Sequence, residues 1–278
     1  MTTLLRIAAF SDGNSGGNPA GVWIGEALPE AAAMQAIAAE VGFSETAFAA
    51  PEGEAWRVRY FSPAMEVPFC GHATIALGAA LAHRFGDRSF ELHLNASAIS
   101  VSGQRNGSTI AAALQSPPTR SASLDASLRE ALLDLFGYAG SDLDPKLPPA
   151  SIHGGADHVL LALQSRDALA RMAYDFDRGR ALMEQAGLVT IALVTAQTPR
   201  LFHVRNAFAA GGVVEDPATG AAAAAFAGYL RDIGWPHGGA VDIVQGEDMG
   251  ARSLIRAEIG AAKGSSIRVS GTARFMES

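Results

Sequence analysis

Four side chains in this sequence sit where they could do chemistry: one histidine, two carboxylates and one thiol. His72 lies in Val67-Pro68-Phe69-Cys70-Gly71-His72-Ala73-Thr74, just after a glycine that opens a helical run. Helix N–H groups disfavour an imidazolium, so a neutral ring there can donate a hydrogen bond or relay a proton. Taken alone, it reads equally as a satisfied core or surface histidine. Asp216 lies in Val214-Glu215-Asp216-Pro217-Ala218-Thr219-Gly220-Ala221. It is either a turn residue or helix cap, or a carboxylate at the mouth of a second helix; Glu215 beside it reads as a solvated charge. Glu45, in Gly42-Phe43-Ser44-Glu45-Thr46-Ala47-Phe48, is either a charge opening a strand or a general acid/base aimed into a cleft. A carboxyl in that role works best when it titrates near neutrality. Cys70 directly precedes the first helix, whose N-terminus favours a thiolate; its other reading is a small buried hydrophobe.

The segments holding His72 and Asp216 match each other: proline, polar residues, then a glycine leading into an Ala-rich run. Helix N-termini carry unpaired N–H groups and about half a positive charge, so two of them facing one cleft would hold an anion. This predicts a pseudo-symmetric enzyme with its active site between related halves. Other chemistries are disfavoured. The Gly-rich stretch Gly13–Gly17 lacks the strand–turn–helix context and lysine of a phosphate loop. His83, His93, His153, His158, His203 and His237 show no metal-ligand spacing and read as structural. Two-thiol racemase chemistry needs a second cysteine, and the chain has one.

The 278 residues suffice for one large domain or two of ordinary size. Hydrophobic content of 49% against 18% charged marks a globular protein, and the abundance of Ala and Gly predicts close backbone packing. A formal net charge of −7 argues against nucleic-acid or anionic-membrane partners, so an acidic substrate must be attracted locally. The first residues lack a signal-peptide pattern, and the apolar run Gly220–Leu230 is too short to span a bilayer. These features predict a cytoplasmic protein.

Strands are expected at 5–10, 20–24, 45–50, 56–61, 90–95, 99–101 and 109–114, with helices at 29–41, stopped by Gly42, and 71–85. The double proline in Gln115-Ser116-Pro117-Pro118-Thr119-Arg120 marks a linker and divides the chain into domains 1–117 and 118–278. The second half predicts helices at 124–136, 176–185 and 220–232. Its strands are expected at 158–163, 189–196, 202–206, 241–245, 254–259 and 267–273. The fold class is α+β, with one dominant helix in each half.

Taken together, Gly17-Asn18-Pro19-Ala20, Ser44-Glu45-Thr46-Ala47-Phe48, Phe61-Ser62-Pro63 and the two matched segments resemble the phenazine-biosynthesis PhzF-like family, relatives of diaminopimelate epimerase. Gln245-Gly246, Met249-Gly250 and Val269-Ser270-Gly271 resemble its C-terminal signature. The resemblance implies two similar domains, each a β-sheet curled around a central helix, with a final strand near 267–278 that can cross back to the first. It also implies a homodimer, a small anionic substrate, and no metal or organic cofactor. Glu45, His72 and Asp216 take the family's catalytic positions; Asn18, Ser44, Gly71, Gly220 and Ala221 take substrate-binding ones. Where the phenazine enzyme has a serine, Ala221 keeps the backbone N–H and lacks the hydroxyl. The expected activity is a cofactor-independent isomerisation by glutamate acid/base catalysis. Amino-acid epimerisation and a non-catalytic ligand-binding or interaction role are the alternatives.

Overall fold

The computed structural model describes residues 3–95, 97–107 and 109–277. The chain divides into two compact units, 1–115 with 269–278, and 116–268.

The first unit is built in chain order from β1 (Thr3–Ala9), β2 (Asn18–Ile24), α1 (Ala31–Val41), β3 (Thr46–Glu52), β4 (Ala55–Phe61), β5 (Glu66–Val67), α2 (Gly71–Phe85), β6 (Arg88–His93), β7 (Ala98–Asn106) and β8 (Thr109–Gln115). Gly42 closes α1 with φ 72°, the left-handed turn that the sequence expects of it. The sheet runs β1–β2–β3–β4–β6–β7–β8, with β2–β3 and β4–β6 parallel. The last strand of the chain, Arg268–Phe275, pairs with both β8 and β1 and closes the ring at eight strands. Inside lies α2, buried from Gly71 to Ala82. It is apolar all round because every face meets the barrel wall. The small-residue composition makes this possible: a Cβ on Gly103 of β7 would stand 2.5 Å from the Gly78 carbonyl oxygen of α2. Outside the ring, α1 packs Met34 and Ala38 against Trp23, Phe48 and Phe61.

The second unit contains β9 (Arg120–Ser123), α3 (Ala126–Phe136), β10 (Ala150–His153), β11 (Asp157–Ala162), α4 (Arg166–Ala170), α5 (Phe176–Ala186), β12 (Thr190–Thr198), β13 (Leu201–Ala207), β14 (Glu215–Asp216), α6 (Gly220–Asp232), β15 (Ala240–Gln245) and β16 (Ser253–Glu258). Its sheet order is β9–β10–β11–β12–β13–β15–β16, with β11–β12 and β13–β15 parallel. Helix α6 touches β9 and β16, so the sheet curls around it. From β10 to β16 the succession of antiparallel and parallel pairs repeats that from β1 to β7. The short strand before the central helix also recurs: β5 on β4, β14 on β13. The matched turns of the sequence are thus the visible part of a repeat in topology.

Helices α3, α4 and α5 cover the outer face with Leu132, Phe136, Leu169 and Met183 against Leu161 and Leu193. The segment taken as a linker is ordered by hydrogen bonds: Ser116 Oγ accepts the Ile267 N–H, and Thr119 Oγ1 donates to the Ser265 carbonyl. Strands β9 and β10 and helix α4 escaped the sequence reading; each is five residues or fewer, too short for a period to show.

His158 of β11 is fully buried, with Nδ1 2.8 Å from Thr190 Oγ1. Burial pushes its pKa down from 6.5 to about 4. Between those values the unfolded chain holds a proton that the folded chain excludes, so stability is retained above 6.5 and falls as pH drops toward 4. The shift corresponds to about 3 kcal/mol. Urea unfolding at about pH 7.5 and about pH 4.5 should show His158→Gln losing less stability on acidification than the parent; equal losses would refute the assignment. Among the described residues, no helix is long and apolar enough to cross a membrane.

Candidate active site

The first unit brings four candidate side chains together at the start of α2. Glu45 lies in the connection from α1 to β3, and its carbonyl accepts the Gly21 N–H at 3.1 Å. That bond is part of the parallel β2–β3 pairing, which fixes where the carboxylate emerges. Glu45 Oε2 stands 3.5 Å from His72 Nε2, and Ser44 Oγ is 3.3 Å from the same nitrogen. Beside the ring, Cys70 Sγ is 3.3 Å from Nδ1. All but Ser44 are buried: Glu45 is 9% exposed, His72 5% and Cys70 8%. A carboxylate, an imidazole and a thiol so withdrawn from water interact more strongly than they would on a surface. The ligating atoms of Glu45, Cys70 and His72 lie within 4.8 Å of one another, close enough to hold a metal ion.

The helix start itself is anchored from below. The Thr74 hydroxyl donates to the Cys70 carbonyl at 2.7 Å, which leaves the fully buried Tyr60 hydroxyl as donor to Thr74 Oγ1, also at 2.7 Å. Burial raises the Tyr60 pKa, so the phenol keeps its proton and remains a donor. Tyr60→Phe removes one net hydrogen bond, about 1 kcal/mol of stability, and loosens the turn that carries Cys70 and His72. Lower turnover with little change in KM is expected; steady-state kinetics beside a thermal melt would show it. Neither Tyr60 nor Thr74 was legible as an anchor of this turn, because both read as ordinary core positions.

In the second unit Asp216 occupies β14, opposite Asn206 of β13, and is 4% exposed. Its Oδ2 accepts the Thr219 hydroxyl at 2.5 Å. Gln245, at the end of β15, donates through Nε2 to the Asp216 carbonyl (2.8 Å) and Thr219 Oγ1 (3.0 Å), while its Oε1 accepts the Thr219 N–H (3.2 Å). Gln245 therefore positions the turn, a role its place in the C-terminal signature hinted at without specifying. Glu215 corrects the sequence reading. It is buried, and Arg205 holds it bidentately at 2.6 and 3.1 Å. The pairing of β13 with β14 puts the two side by side, so the charge is neutralised inside the protein and not by solvent.

Gly71 and Gly220 are the first residues of α2 and α6, and Ala221 is the second of α6. Neither helix has a side-chain hydrogen bond at its N-cap, Cys70 or Thr219. Among the outer helices, α3, α4 and α5 are capped by Asp125, Ser165 and Asp175, whereas α1 is not capped by Glu30. The two central helices thus keep the donors that an anion would take. Asn18, the first residue of β2, is buried opposite Ala9 of β1.

Comparison with known proteins fits this architecture. The family described as phenazine biosynthesis-like protein matches residues 7–278. A trans-2,3-dihydro-3-hydroxyanthranilate isomerase of Pseudomonas fluorescens is 34% identical over 280 residues, spanning 98% of this chain and 96% of its own. An uncharacterized isomerase of Pseudomonas aeruginosa is 33% identical over 220 residues, 78% of this chain and 77% of the other. The solved structure of a PhzF-family phenazine biosynthesis protein from Bacillus anthracis gives a TM-score of 0.86 at 23% identity, covering 100% of this chain and 98% of that one. At that identity the likeness speaks for the fold alone. On the family match and these relatives, the chain belongs to the phenazine biosynthesis-like protein family and is an isomerase.

Proposed function

We propose that this isomerase moves a proton on a small carboxylate-bearing substrate, with Glu45 as general acid/base and no metal or organic cofactor in the step. The observation that carries the reading is the placement of the Glu45 carboxylate, buried beside His72 at the uncapped start of α2. The N–H groups of Gly71 and His72 hold the substrate carboxylate, and Glu45 takes a proton from a neighbouring carbon. The electron pair left behind delocalises toward the carboxylate, where the helix N–H groups and dipole stabilise the developing charge. Glu45 then returns the proton at a different carbon. His72 orients Glu45 and the substrate, with Ser44 at Nε2 and Cys70 at Nδ1 fixing the ring. The family resemblance assigns Asp216 a part in the same reaction, with Gly220, Ala221 and Asn18 as binding groups. The burial of Asp216 and its bond from Thr219 support that assignment. A homodimer in the cytoplasm completes the reading.

The substrate class follows from the same chemistry: a cyclic or unsaturated amino or hydroxy acid with an acidic C–H near its carboxylate. Turnover in heavy water tests the step, starting with trans-2,3-dihydro-3-hydroxyanthranilate and related acids. Solvent deuterium should appear at the carbon that gains the proton in step with exchange at Glu45, and substrate deuterated at the donor carbon should lose that label. A product that keeps the label at the donor carbon would overturn the mechanism. Ala221→Ser restores a hydroxyl at the second position of α6 and should raise kcat/KM for that hydroxylated acid. One added hydrogen bond corresponds to roughly 3- to 10-fold. Competition between that acid and an analogue lacking the hydroxyl would measure it.

A further inference from the structure

The proton chemistry uses a carboxylate and an imidazole, yet the structure places a third group of different character against them. Cys70 Sγ is 4.0 Å from His72 Nε2, and Glu45 Oε2 is 3.5 Å from the same nitrogen. Around a tetrahedral zinc ion, sulfur, nitrogen and oxygen ligands stand roughly 3.3–3.6 Å apart. The sulfur lies to the side of the imidazole, so a turn of the His72 ring, away from Ser44 Oγ, would aim Nε2 between sulfur and carboxylate.

We propose that Glu45, Cys70 and His72 form a capture site for a thiophilic divalent cation, Zn²⁺ in the first place, and that its occupation stops the enzyme. Three arguments favour this ion class. Thiolate and imidazole select Zn²⁺, Co²⁺ and similar ions over Mg²⁺ and Ca²⁺, which prefer oxygen. A thiolate and a carboxylate together balance the dication, so the filled site is itself neutral beside the α2 N-terminus, where a bare cation would be disfavoured. Three protein ligands also leave a fourth position for water or a substrate oxygen. The metal displaces the thiol proton and occupies the Glu45 carboxylate, so Glu45 can no longer accept a proton from carbon. The stop rests on the reading of Glu45 as the base; the capture site does not.

The test is a Co²⁺ titration of the reduced full-length protein, read by the near-ultraviolet thiolate-to-cobalt charge-transfer band, with Zn²⁺ calorimetry in parallel. One ion per chain and a cobalt band are expected, and both should be lost in Cys70→Ser. His72→Ala and Glu45→Gln should each weaken Zn²⁺ by more than the roughly 10- to 100-fold that outer partners of a metal site cost. A measurement on the unaltered protein guards against misfolded variants: Zn²⁺ should slow alkylation of Cys70. Absence of the band, Zn²⁺ binding unchanged in Cys70→Ser, or unprotected alkylation would each overturn the site. Zn²⁺ bound as expected while turnover continues would retain the site and overturn the stop. Full turnover by metal-free Glu45→Gln would instead remove the reading of Glu45 as base and leave the capture site standing.

Discussion

Glu45→Gln should fold normally, bind substrate, and lose about 10²–10⁴ of its turnover, the range that a positioned acid/base contributes. That corresponds to about 3–5 kcal/mol of barrier. The amide matches the carboxylate in shape and can keep its place beside His72, so the geometry at the start of α2 is retained. What disappears is the capacity to accept a proton. Stability should hold or rise, because Glu45 is nearly buried and a neutral amide is cheaper to desolvate than a carboxylate. Glu45→Asp separates chemistry from position: the base survives but retreats by one methylene, so a partial loss is expected. Deuterium incorporation in heavy water, followed for parent and both variants, gives the ranking. A Glu45→Gln enzyme that exchanges at the parental rate would sink the assignment.

Gly103→Val should be the most damaging substitution to the fold of the first unit, costing about 3 kcal/mol or more. A Cβ there would stand 2.5 Å from the Gly78 carbonyl oxygen and 2.5 Å from Ala82 Cβ, both on α2. A backbone carbonyl inside a helix cannot swing away as a flexible side chain would. Either β7 lifts off the helix or α2 shifts inside a closed ring. Gly103→Ala should fall between parent and valine in urea midpoint, and a valine variant within about 0.5 kcal/mol of the parent would refute the packing argument. Because α2 also carries His72, surviving protein should show reduced kcat. The second unit repeats the device: a Cβ on Gly154 would lie 2.8 Å from the Ala225 nitrogen and 2.9 Å from the Ala221 oxygen of α6. In the second unit the close approach comes from the turn after β10, in the first from strand β7 itself.

Sequence alone determined the local features of this protein. The bounds 71–85 and 220–232 of α2 and α6 were readable because a glycine opens an Ala-rich apolar run, and such signals act within a few residues. The longer strands, the stop at Gly42 and the proximity of Cys70 to His72 are local in the same sense, and the family resemblance drew on these short motifs. Tertiary structure decided everything that depends on distance across the chain. Glu45 reaches His72 only through the parallel β2–β3 register, which no spacing encodes. Glu215 read as solvated because its neutralising partner, Arg205, arrives through the pairing of β13 with β14. The anchoring of Cys70 through Thr74 and Tyr60 needs a strand and a helix to meet, as does the bracing of Asp216 by Gln245. Even the matched turns changed in meaning. In sequence they were two similar helix starts; in the fold, the first gathers a carboxylate, an imidazole and a thiol, and the second holds a braced carboxylate. Composition and periodicity act along the chain and specify elements, whereas a reactive cluster is set by the few ångströms between elements, which only packing fixes.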